Sequence, residues 1–428
     1  MSYKKKVLII TYYWPPAGGS GVQRWLKFSK YLRDFEIEPV IYTIDNPSYP
    51  ILDKSSESEI PKDLEILKQA IFEPNSLLSI FGSKSKKESA GFLNPNPTFF
   101  GSIIQYIRAN YFIPDARKFW IQPSVNFLSN YLENNHIDAI ITTGPPHSMH
   151  LIGLELKKKL GIKWISDFRD PWTEIDYFQQ LPLTKKAIKK HQDLEQEVLI
   201  NSDMVVVVGE TMKDKFLKHT NRIEVLTNGF DTIEDLSTQK LDEKFSITHV
   251  GLMNSDRNPT ILWEVLNEIS NTNLNFKNDL RIKLIGKIDD AVIQDLKVFD
   301  HNTIETIPYL DHKDVGKYQA SSQILLLSIN EVPSAKGIIT GKIFEYLQAK
   351  RPILAIGPED GDAAMILKNT NAGTIVGFKN KTALKATILN LYKDYKEGVL
   401  FVKSVNIEQY HRKNITSQLA EVIKKVVS

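Results

Sequence analysis

Short, nearly unbroken apolar runs are the feature that most narrows what this chain can fold into. Val7–Thr11, Met204–Val208, Ile324–Ser328 and Ile353–Ile356 are such runs, and Pro39–Ile44, Asp138–Thr143, Lys163–Asp167, Ile247–Val250 and Arg281–Ile285 read as further strands with polar residues among the apolar ones. A strand with one wet face alternates polar and apolar residues, whereas a strand covered on both faces does not, so these runs point to parallel sheets sandwiched between helices. Stretches of helical period lie between them. One is Val22–Asp34, with Trp25, Phe28, Tyr31 and Leu32 on one stripe; others are Met149–Leu160, Lys185–Ile200, Pro259–Ile269, Ala291–Val298 and Asp311–Ala320. Strand, helix, strand in alternation is the signature of a doubly wound α/β sheet. A length of 428 residues exceeds what one core serves, so two such domains are expected. The polar, acidic stretch after Phe230, DTIEDLSTQKLDEK, reads as the linker. The expected division is 1–235, with an irregular insert over about 45–127, then 236–405, then 406–428, whose helix from about Thr416 to Val427 packs back on the first domain.

Composition removes several classes. Lys and Arg total 54 against 51 Asp and Glu, a net charge of +3 that is too balanced for nucleic-acid binding by bulk electrostatics. No cysteine is present, which removes disulfides, thiolate metal sites and a thiol nucleophile, and fits a reducing compartment. No apolar run approaches the roughly 20 residues that span a bilayer. The basic start MSYKKK is followed only by VLII, too short for a signal peptide and better read as a buried first strand. The expected location is the cytoplasm, with the inner face of its membrane as the alternative.

The stretch Ser334–Ile356 carries the most chemistry. It reads as a loop with Gly337 and Gly341, a short helix from Lys342 to about Lys350, a turn at Arg351-Pro352 and a buried strand. Glycines at a helix entry let backbone N–H groups approach an anion, and the helix N-terminus adds partial positive charge. Lys342 in the first turn is unfavourable unless an anion is near. Glu345 lies about one turn on, so both side chains can face one ligand. The expectation is Lys342 on a diphosphate and Glu345 on a ribose. The plain alternative is a solvated lysine–glutamate pair.

As a whole this stretch resembles the donor-site segment of retaining glycosyltransferases of the GT-B fold (family 4-like, bacterial surface-polysaccharide type), in which a pattern like S-K-x-x-E-Y-L-x-A-x-x-P-I-L recurs. The matching residues are Lys342, Glu345, Tyr346, Leu347, Ala349, Pro352, Ile353 and Leu354, with Gly341 in place of the serine. Many members carry another glutamate eight positions before the second; here that position is Gly337, and backbone N–H groups near it are expected to take over. The resemblance implies two Rossmann-like domains facing a cleft, a nucleotide-sugar donor (UDP- or GDP-linked), a glycan or lipid-linked acceptor, retention, no cofactor and no metal.

Other candidates sit at strand ends, where ligands bind in open α/β sheets. Gly18, Gly19 and Gly21 open the first helix; Gly18 and Gly21 are assigned to the acceptor and Gly19 to the donor. The glycine spacing departs from the dinucleotide fingerprint, although Asp45 keeps an NAD-linked reading open. In DFRDPW, Asp167 or Asp170 serves an acceptor hydroxyl, and Arg169 meets an anionic acceptor or orients the aspartates; a local ion pair is the alternative. His147 ends the neighbouring strand. In the second half Gly251, Asn254 and Arg257 follow one strand and Gly286 the next, while Pro308-Tyr309-Leu310 resembles a nucleobase contact. Ile338 and Thr340 complete the donor loop with Gly337 and Gly341. The catalytic candidates are Asp170, His147, Lys342 and Arg257. The Asp360-x-Asp362 loop reads as solvated.

Thr98–Trp120 places Phe99, Ile103, Tyr106, Ile107 and Phe112 on a helical stripe beside Arg108, Arg117 and Lys118. It reads as a helix packed on the core, with a membrane-contacting surface as the alternative. Three rivals to a transferase stay open: a sugar-nucleotide epimerase of the same fold, a non-catalytic nucleotide-sugar binder and an NAD-dependent enzyme.

Overall fold

The computed structural model describes residues 4–46, 49, 52–71, 99–175, 178, 180–231, 239–308, 310 and 312–428. The chain forms two compact units, Met1–Thr227 with Arg412–Ser428, and Asn228–His411.

In the first unit the elements run β1 (Lys5–Ile10), α1 (Ser20–Tyr31), β2 (Ile37–Ile44), β3 (Glu65–Gln69), α2 (Phe99–Tyr111), α3 (Lys118–Asn134) and β4 (Ala139–Gly144). They continue with α4 (Ser148–Leu160), β5 (Lys163–Phe168), α5 (Lys185–Asn201), β6 (Met204–Val207), α6 (Glu210–Phe216) and β7 (Ile223–Val225). All seven strands are parallel, in the order β3-β2-β1-β4-β5-β6-β7. Leu8 and Ile10 of β1 face one layer of helices, and Val7 and Ile9 face the other. That two-sided burial is why β1 reads as an unbroken apolar run.

The second unit holds β8 (Phe245–Val250), α7 (Thr260–Thr272), α8 (Leu274–Asp279), β9 (Leu280–Ile285), α9 (Asp290–Asp295), β10 (Ile304–Ile307) and α10 (His312–Ser321). Next come β11 (Ile324–Ser328), α11 (Gly341–Ala349), β12 (Ile353–Ile356), α12 (Asp362–Thr370), β13 (Gly373–Val376) and α13 (Lys381–Lys396). Its six strands are again parallel, ordered β10-β9-β8-β11-β12-β13. The final helix, α14 (Arg412–Val427), belongs to the first unit, where Ile415, Leu419, Ala420, Ile423 and Val426 join the layer under Val7 and Ile9. At about 1.5–3 kcal/mol per large buried aliphatic side chain, that face gives α14 ample reason to stay docked.

Each sheet has a switch point, where the strand order turns from one direction to the other: between β1 and β4 in the first unit, and between β8 and β11 in the second. Doubly wound sheets bind ligands at the carboxyl edge there.

Two local readings differ from the structure. The insert is not irregular throughout, because β3, α2 and most of α3 lie in it; residues 72–98 fall outside the described residues. Pro123 lies inside α3 and hides that helix in the sequence. Asp362 does not lie in a solvated loop: it is 3% exposed and opens α12, while Asp360 pairs with Lys336.

Candidate functional site

The densest arrangement of candidate residues lies at the β8–β11 switch point of the second unit. After β8 the backbone turns through Gly251, with φ 100°, and after β9 through Gly286, with φ 121°. Both angles lie in the left-handed region that favours glycine. The two turns are also pressed together: a Cβ on Gly286 would sit 2.8 Å from the Gly251 carbonyl oxygen, and one on Gly251 would sit 2.7 Å from Cε of Lys342. Glycine at 251 therefore makes the room through which Lys342 reaches the strand edge.

Lys342 is the second residue of α11, and its position is specified by contacts. Its Nζ lies 3.1 Å from Nε2 of His249 and donates to the Leu252 carbonyl at 3.3 Å. His249 is fully buried in β8, with Nδ1 3.2 Å from the Leu326 carbonyl oxygen. A carbonyl can only accept, so Nδ1 carries the proton and Nε2 is the acceptor for Lys342. Burial, with the charge of Lys342 close by, holds the His249 imidazole well below its usual range, so it is neutral. One turn after Lys342, the buried Tyr346 hydroxyl accepts from the Val250 N–H at 3.1 Å and donates to the Leu326 carbonyl at 3.3 Å. Tyr346 thus pins α11 to the ends of β8 and β11.

Arg257 ends a 3-10 turn after β8 and donates from Nε to Asn330 Oδ1 at 2.6 Å, beside β11. Its charge reaches Lys342. Burial first, then Arg257, pulls the Lys342 ammonium down to about 7, against a smaller upward pull from Glu345. Two cations within electrostatic reach of each other, one of them driven toward neutrality, form a site short of negative charge. Two further polar atoms there are buried without a hydrogen-bond partner: Asn254 Oδ1 and Thr340 Oγ1. Thr340 is the N-cap of α11, but its side chain makes no capping bond, so the first N–H groups of the helix have no side-chain acceptor from it. Glu345 is half-buried and accepts from Gln319 Nε2 at 3.3 Å.

The other donor candidates are placed as follows. Gly337 closes a 3-10 turn, and its N–H and that of Ile338 donate to Ser334 and Ala335 inside that turn. Those two N–H groups are therefore already engaged inside the turn. Leu310 packs against the second unit's core. Tyr309 lies outside the described residues. Gly19 belongs to the first unit, where it is the N-cap of α1 with φ 95°.

A second cluster occupies the β1–β4 switch point of the first unit. Gly21, in the first turn of α1, faces Arg169: a Cβ there would lie 2.5 Å from the guanidinium. Arg169 donates to the carbonyls of Gly144 and Pro145 and lies 5.9 Å from the Tyr13 ring. His147 is buried, stacked on Trp172 with ring centroids 4.7 Å apart, and neither ring nitrogen has a hydrogen-bond partner. Burial, with His150 and Arg169 nearby, holds His147 well below its usual range and therefore neutral. Asp170 is exposed beside Arg169, and Gly18 lies in the loop before α1.

Asp167 has a different task from the one assigned to it. It is 1% exposed; Oδ1 accepts from Arg24 at 2.8 Å, and Oδ2 accepts from Trp25 Nε1 at 2.7 Å and Thr143 Oγ1 at 2.8 Å. Burial pushes its carboxyl up, but Arg24 and these hydrogen bonds outweigh burial and hold it below the usual range. Arg24 and Asp167 lock α1 to β5, beneath the glycine loop. Asp167 is thus in an ion pair, but with Arg24, 143 positions away, and not in the local pair within DFRDPW read as the alternative. Sequence reasoning did not single out His249, Asn330 or Arg24; a histidine next to the end of a strand, two residues before Gly251, was the available signal for the first.

No family model matches the chain, and no curated protein is similar to it in sequence. Solved structures match over almost the whole length. A sucrose-phosphate synthase from Thermosynechococcus elongatus is 12% identical, with 98% of each chain covered and a TM-score of 0.62. Anabaena HepE, in complex with UDP and glucose, is 13% identical, covering 98% of this chain and 99% of that one, with a TM-score of 0.60. A putative UDP-N-acetylglucosamine 2-epimerase from Listeria monocytogenes is 13% identical, covering 99% and 96%, with a TM-score of 0.56. At such identities the likeness shows the fold: two Rossmann-like α/β domains of the GT-B class.

Proposed function

We propose that the chain is a glycosyltransferase that moves a sugar from a UDP- or GDP-linked donor to a glycan or lipid-linked acceptor with retention. The observation that carries this reading is Lys342, fixed by His249 and the Leu252 carbonyl at the uncapped start of α11 and within electrostatic reach of Arg257. The two cations, the Asn254 and Thr340 side chains and the helix N-terminus together suit a diphosphate. As the bond between the sugar's anomeric carbon and the phosphate oxygen breaks, negative charge grows on the leaving diphosphate. Preorganised cations and N–H dipoles at that point lower the barrier. The acceptor hydroxyl forms the new bond on the face the diphosphate leaves, and its proton passes to a departing phosphate oxygen. In this reading Lys342 and Arg257 supply the neutralisation that a divalent ion supplies elsewhere, and Glu345 meets the ribose. The UDP and glucose held by HepE support a nucleotide-sugar donor. The cluster of Gly21, His147, Arg169 and Asp170 is assigned to the acceptor.

The test is a thermal-shift panel of nucleoside diphosphates and nucleotide sugars, followed by product analysis with acceptor glycans. Ligand binding to the folded state alone raises the melting temperature. A shift with one nucleoside diphosphate, and a sugar joined to acceptor, are expected. The likeness to a 2-epimerase favours a second reading; an epimerised donor formed with no acceptor present would select it and refute transfer.

A further inference from the structure

Helix α2 wears its apolar stripe on the outside. In a globular protein such a stripe faces the core. Here Ile103 is 42% exposed, Ile107 43% and Tyr111 65%, one turn apart along a single face, with Ile104 and Tyr106 also exposed. The side that packs is the small and polar one. Ala109 is buried, and Asn110 donates to the Pro182 carbonyl and accepts from the Thr184 N–H at 2.7 Å, tying α2 to the start of α5. The exposed Phe119 continues the surface beyond the helix.

The rim of this patch is basic. Lys118 sits over the Phe112 and Phe119 rings, 5.3 and 5.1 Å from their centroids. Burial against those rings and the positive charge of Lys190 pull its ammonium below the usual range. Arg108 is exposed in the last turn of α2. Helix α5 begins KKAIKK: Lys185, Lys186, Lys189 and Lys190 are exposed, and its first turn holds no acid. Cations in a first turn oppose the helix dipole, and Lys189 is balanced by Asp193 one turn on. An anionic surface outside the helix would relieve both the dipole conflict and the crowding of Lys118 against Lys190.

We propose that α2 and the start of α5 form a docking face for an anionic lipid bilayer, the Ile103–Ile107–Tyr111 stripe entering the headgroup boundary and the lysines meeting the lipid charges. The combination of an exposed apolar stripe and a basic rim is what such a surface recognises. The inference stands on these residues alone and does not depend on the donor site.

The experiment is co-sedimentation of the full chain with phosphatidylcholine vesicles, with and without about a third phosphatidylglycerol. Two variants are compared: Ile103→Ser/Ile107→Ser, and Lys186→Gln/Lys190→Gln. All four positions are exposed, and circular dichroism checks that each variant folds. Binding to the anionic vesicles only is expected, weakened on the order of thirtyfold by the lysine variant, since each lysine near an anionic surface contributes about a fivefold factor. The isoleucine variant weakens it as well, while melting-temperature shifts with nucleoside diphosphates stay as in the wild type. Equal sedimentation with both vesicle types would overturn the proposal. So would binding to soluble heparin that needs the lysines but not the isoleucines, which would mean a polyanion site instead.

Discussion

Lys342 gives the sharpest prediction, because its proton is part of the binding reaction. In the free protein its ammonium titrates at about 7. A diphosphate between Lys342 and Arg257 restores the charged form and returns the group toward its ordinary value of about 10.4. At pH 8 a group titrating at about 7 is roughly nine-tenths neutral, so binding a nucleoside diphosphate takes up about 0.9 proton; at pH 6 it takes up about 0.1. Affinity accordingly falls close to tenfold per pH unit between about pH 7.5 and 9.5. Isothermal titration calorimetry in buffers of different ionisation enthalpy measures the uptake directly as the slope of observed enthalpy against buffer enthalpy. The phosphate groups of the ligand are already ionised at pH 8, so their own titration contributes little in that window. In Lys342→Arg, whose side chain is charged throughout, the slope at pH 8 falls to near zero. A slope near zero in the wild type at pH 8, with normal binding, would refute the placement of Lys342 on the diphosphate.

Three further outcomes follow from individual contacts. Gly251→Ala forces a side chain into the left-handed region and against Lys342 Cε, so it costs about 1–2 kcal/mol by chemical denaturation and weakens diphosphate binding at least tenfold; an unchanged affinity would show that Lys342 is not threaded through that turn in the bound state. Tyr346→Phe leaves the buried Val250 N–H without its acceptor and costs about 1–3 kcal/mol; a loss under about 0.5 kcal/mol would remove its role as the pin of α11. Asp167→Asn strands the Arg24 charge and costs about 3–5 kcal/mol at neutral pH. Because the folded Asp167 carboxyl titrates below its unfolded value, its contribution is present above the unfolded carboxylate range and lost as pH falls through the folded value. The wild type therefore loses this stability in acid and the variant does not, which urea melts across pH 2–6 (about the carboxylate range) will show.

How much was legible depended on which force set each element. Strands β1 and β11 are covered on both faces, so burial alone wrote them as continuous apolar runs. The edge strand β3, EILKQ, is partly exposed and carries no such run. Helix α3 was hidden by Pro123, and α12 by the acidic loop that leads into it. Within the site, Lys342 stood out because a cation in a first helical turn conflicts with the dipole, and Gly251 because it follows a buried strand. The partners that fix Lys342 were not legible: His249 looks like a core residue of β8, and Asn330 is an ordinary loop residue until the fold brings it against Arg257. Asp167 misled for the opposite reason, since its partner Arg24 lies 143 positions away and nothing local announces the pair.

The most direct test of the account is to measure nucleoside diphosphate released from the donor with acceptor present, in the wild type, Lys342→Ala and Arg257→Ala. Each lost charge-assisted contact is worth about 1.5–3 kcal/mol, so each single variant should turn over roughly ten- to a hundredfold more slowly with its melting temperature retained. Release at the wild-type rate from either folded variant would contradict the claim that these two cations carry the charge of the departing diphosphate.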